Sequence, residues 1–302
     1  VWRVAGLGVA GYHTKRLSTP DWLAKADRSV ICSRTKDGKV PQDDRYRPDS
    51  LLAKALRTMD PLVEAQKACR AEGLELYFWV DLFDEQNGRW LLEHPEALVR
   101  SKAGKPWPGL RDYANNDAMW AKIEDIAELF SWKYKPDGIY LSMGSHARHL
   151  EIDEPDGDFG KLPADRFNLL IRLISERVHK ENMKLMVGAP LGKSIDFTVP
   201  YMSDNVKYRV ELDWKRWIDE GWADSLVLGD YEWTWDAVPN WKAKGLDPSK
   251  LVPGNEPADV FAPEYVDYAK GRAEILFFSS WLSAYAQRHK GASASSLSGA
   301  MK

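Results

Sequence analysis

Residues Ala223–Trp235 read ADSLVLGDYEWTW, and the fold turns on how that stretch changes character. Leu226-Val227-Leu228 is an uninterrupted apolar run, the pattern of a short strand buried on both faces of a parallel sheet. The run stops at Gly229. Asp230, Tyr231, Glu232, Trp233 and Trp235 follow almost without a spacer. Carboxylates and aromatic rings gathered where a strand ends suit a site that holds something flat and polar and acts on it with acid or base. The competing reading is an ordinary loop whose tryptophans pack on a neighbouring helix.

The same transition recurs along the chain. Leu74–Val80, LELYFWV, is the strongest strand pattern and runs into Asp81, with Asp84 and Glu85 just beyond. Pro136-Asp137-Gly138 turns into Ile139-Tyr140-Leu141, which ends at Ser142, Ser145 and His146. Further short strands are predicted near Arg3, at Ser29–Ser33 before Arg34, at Lys184–Val187, at Leu251-Val252 before Asn255-Glu256-Pro257, and at Ile275–Phe278.

Helical patterns fall between most of these strands. Asp60 is a fitting N-cap with Pro61 at the first helical position, and Gly73 closes that helix. Asn115 or Asn116 caps a helix running to about Tyr134. Others are expected over Asp165–Glu181, Val210–Glu220, Val238–Lys244, Pro263–Lys270 and Trp281–Arg288.

Alternating apolar strands and amphipathic helices imply a parallel sheet with helices outside it. Eight such strands, counting Leu226–Leu228, predict an α/β fold that is a single closed (β/α)8 TIM barrel over residues 1–290. A flexible Ser/Ala-rich tail at 291–302 follows. In that fold the C-terminal strand ends carry the site. Here those ends hold Arg34, Asp81, His146, Asp230, Glu232 and Glu256. Asp81 has a structural alternative, as the ion-pair partner of Arg34.

Composition narrows the function classes. The net charge is −3 with no long basic run, which argues against a nucleic-acid partner. No apolar stretch reaches the roughly 20 residues of a membrane span. The 14 tryptophans are an outlier, and their flat faces suit the C–H faces of sugars as well as core packing. Cys32 and Cys69 lack metal-ligand spacing and read as buried free thiols. The acidic run Asp153-Glu154-Pro155-Asp156-Gly157-Asp158 lacks full calcium-loop spacing, so no metal is assigned. Gly6-Leu7-Gly8-Val9-Ala10-Gly11 matches the dinucleotide-binding glycine pattern, but Arg34 stands where an acidic ribose ligand belongs.

Several pieces together carry a family likeness: Asp60-Pro61, GLELYFWVD ending at Asp81, His94-Pro95-Glu96, KPDGIYL ending at Leu141, KRWIDEGWADSLVL ending at Leu228, and the end of the seventh predicted strand. On these the chain resembles the family-10-like glycoside hydrolase barrels, a group related to bacterial cell-surface and peptidoglycan glycosidases. The resemblance spans roughly Arg28 to Tyr285 and implies a (β/α)8 barrel that hydrolyses glycosidic bonds. In one place the chain departs from that pattern, as a divergent branch would. Barrels of this group often carry acids just after the DGI strand, whereas here Ser142 and His146 follow, and the next acids are Glu151, Asp153 and Glu154.

Glycoside hydrolysis uses two carboxyl groups, one protonating the leaving oxygen and the other attacking the sugar or activating water. Their separation is about 5 Å for retention and about 6.5–9.5 Å for inversion. The expected pair is Glu256 with Asp230 or Glu232, and which of those two takes part stays open. Arg34, Asp81, His146, Trp233 and Trp235 are expected to bind substrate, with no cofactor. The partner is then a poly- or oligosaccharide. Arg34, Arg45, Arg47 and Arg148 would suit an anionic or sulfated one. Such a substrate suits a secreted or periplasmic enzyme. The alternatives are a carbohydrate-binding barrel without catalysis and an NAD(P)-dependent oxidoreductase.

Overall fold

The structure is a computed structural model that describes residues 1–6, 8–27, 47–83, 85, 88–104, 106–130, 133–143, 158–189, 196–198, 207–228 and 263–277. The strands in chain order are β1 (Trp2–Arg3), β2 (Ala5–Gly6), β3 (Val9–Ala10), β4 (Tyr77–Asp81), β5 (Leu98–Arg100), β6 (Pro106–Arg111) and β7 (Gly138–Ser142). They continue with β8 (Asp158–Leu162), β9 (Lys184–Ala189), β10 (Asp196–Thr198), β11 (Lys207–Glu211), β12 (Ser225–Leu228) and β13 (Glu274–Phe277). The helices are α1 (Pro20–Leu23), α2 (Leu51–Thr58), α3 (Pro61–Ala71), α4 (Arg89–Glu93), α5 (Asn116–Glu128), α6 (Ala164–Lys180), α7 (Trp214–Asp219) and α8 (Pro263–Ala269).

A six-stranded sheet in the order β1-β4-β7-β9-β12-β13 forms the centre, and every pairing in it is parallel. The parallel α/β organisation expected from the sequence is therefore present. Six of the eight expected strands lie in this sheet. β1 is bonded directly to β4 and β12 directly to β13, and the strands expected near Ser29 and Leu251 lie outside the described residues. Among the described residues the sheet is not closed into a barrel.

The pleat sorts the strand side chains onto two faces. Phe78, Val80, Ile139, Leu141, Leu185, Val187, Leu226 and Leu228 join the helices in the main core. α3 adds Leu62, α5 adds Ile123 and Ile126, and α6 adds Phe167, Leu170 and Ile174. Each fully buried side chain of this kind stabilises the fold by about 1.5–3 kcal/mol. Tyr77, Tyr140, Met186 and Val227, with Trp79 and Leu276, form a separate cluster on the opposite face.

Two aspartates pin the base of the sheet. The Asp137 carboxylate accepts the Leu76 N–H at 2.7 Å, and its carbonyl accepts the Lys184 N–H at 3.0 Å. The Asp224 carboxylate accepts the Leu185 N–H at 2.7 Å and lies 2.9 Å from His179 Nε2, while its carbonyl accepts the Glu274 N–H at 2.9 Å. Both residues stand one place before a strand, in KPDGIYL and ADSLVL, so those repeated pieces encode a structural device. Gly138 opens β7 where Tyr77 and the Lys184 carbonyl come so close that no Cβ fits between them.

Asp60 caps α3 by accepting the Leu62 N–H at 3.2 Å, and Gly73 follows with φ +67°. Asn115 caps α5 through the N–H groups of Asp117 and Ala118. That helix ends at Glu128, short of Tyr134, whose hydroxyl donates to Asp60 at 2.6 Å.

Some expectations are corrected. The LELYFWV strand enters the ladder only at Tyr77, and Leu74 is exposed. The helix expected from Val210 starts at Trp214, because Lys207–Glu211 is a strand paired with β8 and β10. Its alternation of Tyr208 and Val210, both buried, with exposed Arg209 and half-buried Glu211 is the period of a half-buried strand. The N-terminal glycine pattern forms an antiparallel hairpin of β2 and β3 and does not open a helix, so it lacks the helix N-terminus that dinucleotide binding requires. Cys69 is a free thiol but only half-buried. Cys32 lies outside the described residues. No helix among the described residues is long and apolar enough to cross a membrane.

Candidate functional site

At the C-terminal end of the sheet the described strands present Arg3, Asp81 and Ser142. Residues two apart in a strand share a face, so Trp79 and Asp81 point the same way. The β1–β4 register sets Arg3 opposite Trp79, diagonal to Asp81. The contacts follow from that placement. The Trp79 indole N–H donates to Asp81 Oδ1 at 2.9 Å. Arg3 Nε donates to Oδ2 at 2.8 Å, and a second guanidinium nitrogen lies 2.7 Å from the same oxygen. The guanidinium also sits 5.4 Å from the Trp79 ring centroid, within cation–π range. Tyr140 is buried beside that indole, its ring centroid 5.6 Å from that of Trp79. The Asp81 side chain is 4% exposed and that of Arg3 28%, so the arginine is the member that reaches outward.

Behind Asp81, on the helix face, four charged side chains are buried together: Glu85, Arg111, Lys122 and Asp125. Lys122 Nζ donates to the Asp81 carbonyl at 2.7 Å and to Glu85. Arg111 holds Glu85 at 2.6 Å and Asp125 at 3.2 Å, and Arg16 adds a 2.9 Å contact to Asp125 from the N-terminal segment. The four formal charges cancel. Burial pushes the Glu85 carboxyl up, but Arg111 and Lys122 outweigh it and hold the group below the usual carboxylate range. Burial pushes Asp125 up, and the charge on Glu85 works in the same direction, so Arg111 and Lys122 only partly offset it. A cavity of about 30 Å³, lined in part by Val4, Val80, Glu85, Lys122 and Asp125, lies against this cluster. It has room for one or two water molecules.

These two arrangements meet at one residue. The Asp81 carboxylate orients Arg3 and Trp79 on the face of the Tyr140 cluster, and its carbonyl is held by Lys122. Such a site offers an aromatic surface and a fixed guanidinium, suited to binding a ring with polar edges. Glu85 and Asp125 are each locked to cations and are not an acid–base pair. Among the described residues no group of three or more His, Cys, Asp or Glu side chains is placed to hold a metal ion.

Of the residues expected at the site, Asp81 stands at a strand end, and the arginine found against it is Arg3. Arg34, His146, Asp230, Glu232, Trp233, Trp235 and Glu256 lie outside the described residues, as do Arg45 and Arg148. Sequence reasoning missed Arg3 and Lys122. The signal for Arg3 was a charge in VWRV, at the alternate position of a strand with apolar flanks. Lys122 sits on a regular helix and gave none.

No family model and no curated protein matches the chain. Similar solved structures include a chitinase from Chromobacterium violaceum, 17% identical, covering 72% of this chain and 53% of its own, with a TM-score of 0.36. A class V chitinase from Pseudomonas fluorescens is 14% identical and covers 72% of this chain and 52% of its own, with a TM-score of 0.34. Dispersin B is 14% identical and covers 92% of this chain and 83% of its own, also with a TM-score of 0.34. The chain spans about half the length of the two chitinases.

Proposed function

We propose that the protein is a glycoside hydrolase acting on a poly- or oligosaccharide at the C-terminal ends of its parallel strands. The observation that carries this reading is the Arg3–Asp81–Trp79 arrangement, a half-buried guanidinium and indole held by one buried carboxylate at the strand ends. The fold belongs to the same reading. Consecutive parallel strands with helices packed on one face and a second side-chain cluster on the other have the organisation of a (β/α) barrel wall. Residues 1–290 then form one catalytic unit of the family-10-like type, with 291–302 as its tail.

In this reading Glu256 and one of Asp230 and Glu232 flank the scissile bond. One protonates the leaving oxygen while the other attacks the anomeric carbon or draws a proton from water. Trp233 and Trp235 stack on sugar rings, and Arg34 and His146 bond to their polar groups. Asp81 acts from behind as the residue that orients Arg3 and Trp79. The glycan is extracellular or periplasmic, anionic or sulfated.

Purified protein is tested on neutral, uronic and sulfated glycans, with Glu256→Gln, Asp230→Asn and Glu232→Gln alongside. Glu256→Gln and one of the other two should lower kcat by about 10²–10⁴-fold. Wild-type turnover in all three removes the carboxylate assignments. Sugar binding without cleavage by the wild type supports a carbohydrate-binding barrel instead, and neither binding nor cleavage ends the reading.

A further inference from the structure

Buried ion pairs are seldom the most stabilising way to fill a core, since apolar replacements of similar volume are often neutral or better. The Glu85–Arg111–Lys122–Asp125 cluster therefore calls for a role that apolar side chains would not fill. Its place in the ladder supplies one. On the β1 side of β4 the Trp79 carbonyl accepts the Val4 N–H at 3.1 Å. Two residues on, the same edge presents the Asp81 carbonyl, but there the chain has left β1 for the β2–β3 hairpin. Lys122 donates to that carbonyl in place of a strand. Glu85 fixes Lys122 in turn and is itself held by Arg111, which is tied to the Ala118 carbonyl of α5 at 3.2 Å and stacked 4.9 Å from Trp90. The cluster thus joins α5, β6, α4 and the segment after β4 at the end of one strand.

We propose that Lys122 is a positioning residue for the strand-end site. It holds the main chain of Asp81 so that the carboxylate on the other face keeps Arg3 and Trp79 in place for the glycan. The inference rests on the glycosidase reading for its effect on rate, though its structural part can be read without any substrate.

Lys122→Met is compared with the charge-balanced Lys122→Met/Glu85→Gln. The readouts are Tm, kcat and KM on a glycan the wild type cleaves, and the NMR resonance of the Trp79 indole N–H, assigned with Trp79→Phe. The single variant leaves buried carboxylates in excess and should lose about 6–15 °C in Tm. The double variant should return to within about 3 °C of wild type. It should still show a displaced Trp79 resonance, with kcat/KM lowered about tenfold or more. A double variant with wild-type Tm, resonance and kcat/KM overturns the proposal, since the cluster would then be structural only. A double variant that fails to regain its Tm also overturns it, because charge balance is the premise. If the wild type cleaves no glycan, the glycosidase reading falls and the indole resonance alone decides the inference.

Discussion

Replacing Gly138 by Ala tests the close approach of three strands at the base of the sheet. A methyl group there would lie 2.4 Å from Tyr77 Cε1, 2.6 Å from its Cδ1 and 2.5 Å from the Lys184 carbonyl oxygen. Carbon atoms prefer about 3.5–4.0 Å, so the ring would have to retreat by about 1 Å. The carbonyl belongs to the main chain of β9 and gives way less readily. Gly138 is not among the glycines with positive φ, so its backbone is open to alanine, which contributes about 0.5–1 kcal/mol in favour. Overpacking costs about 1–3 kcal/mol, and contact with both a ring and a main-chain atom places this site at or above the upper end. A net loss of about 2 kcal/mol follows, a fall in Tm of about 4–8 °C by thermal unfolding. In a Tyr77→Ala background two of the three contacts vanish, and the same substitution should cost about 1 kcal/mol less. An unchanged Tm, or an equal loss in both backgrounds, would refute the reasoning.

Asp224→Ala removes the acceptor of the Leu185 N–H and the partner of His179, and should cost about 1–3 kcal/mol by urea unfolding, with Asp224→Asn losing less. At Asp60, burial pushes the carboxyl up, but Lys133, Tyr134 and the Leu62 N–H outweigh it, and the folded value lies below the ordinary one. Its contribution is therefore complete above the unfolded value of about 3.9 and is lost as pH falls through the lower folded value. A scan of Tm from about pH 6 down to about pH 2 should show a shallower acid limb in Asp60→Asn than in wild type. Parallel limbs would assign that slope to other groups.

The sequence carried the local features well. Asp60-Pro61 was legible as a helix start because capping chemistry is set by adjacent residues, and Asn115 was legible for the same reason. The apolar runs at Gly138–Ser142 and Ser225–Leu228 announced buried parallel strands, and every residue in both is buried. Strand order was not legible. Whether β1 lies beside β4 or has a strand between them depends on pairing across more than 70 residues, which no local pattern encodes. At Val210 the spacing of Trp214 and Trp217 drew the helix upstream over the strand alternation of KYRVE. The charge cluster behind Asp81 was hidden because its members come from separate elements and follow no motif. At the site, Asp81 could be placed from its position after an apolar run. Arg3 could not, because its role depends on register.

The aspartates before β7 and β12 have a consequence for how the sheet is put together. Each reaches back with its carboxylate to the strand already made and forward with its carbonyl to the next. Asp137 needs Leu76 before it and Lys184 after it, and Asp224 needs Leu185 and then Glu274. A chain made from its N-terminus presents these partners in order. Contact order and sequence order thus agree at the base of the sheet. Moving the termini by circular permutation into the 76–137 segment would reverse the order in which Leu76 and Asp137 are made.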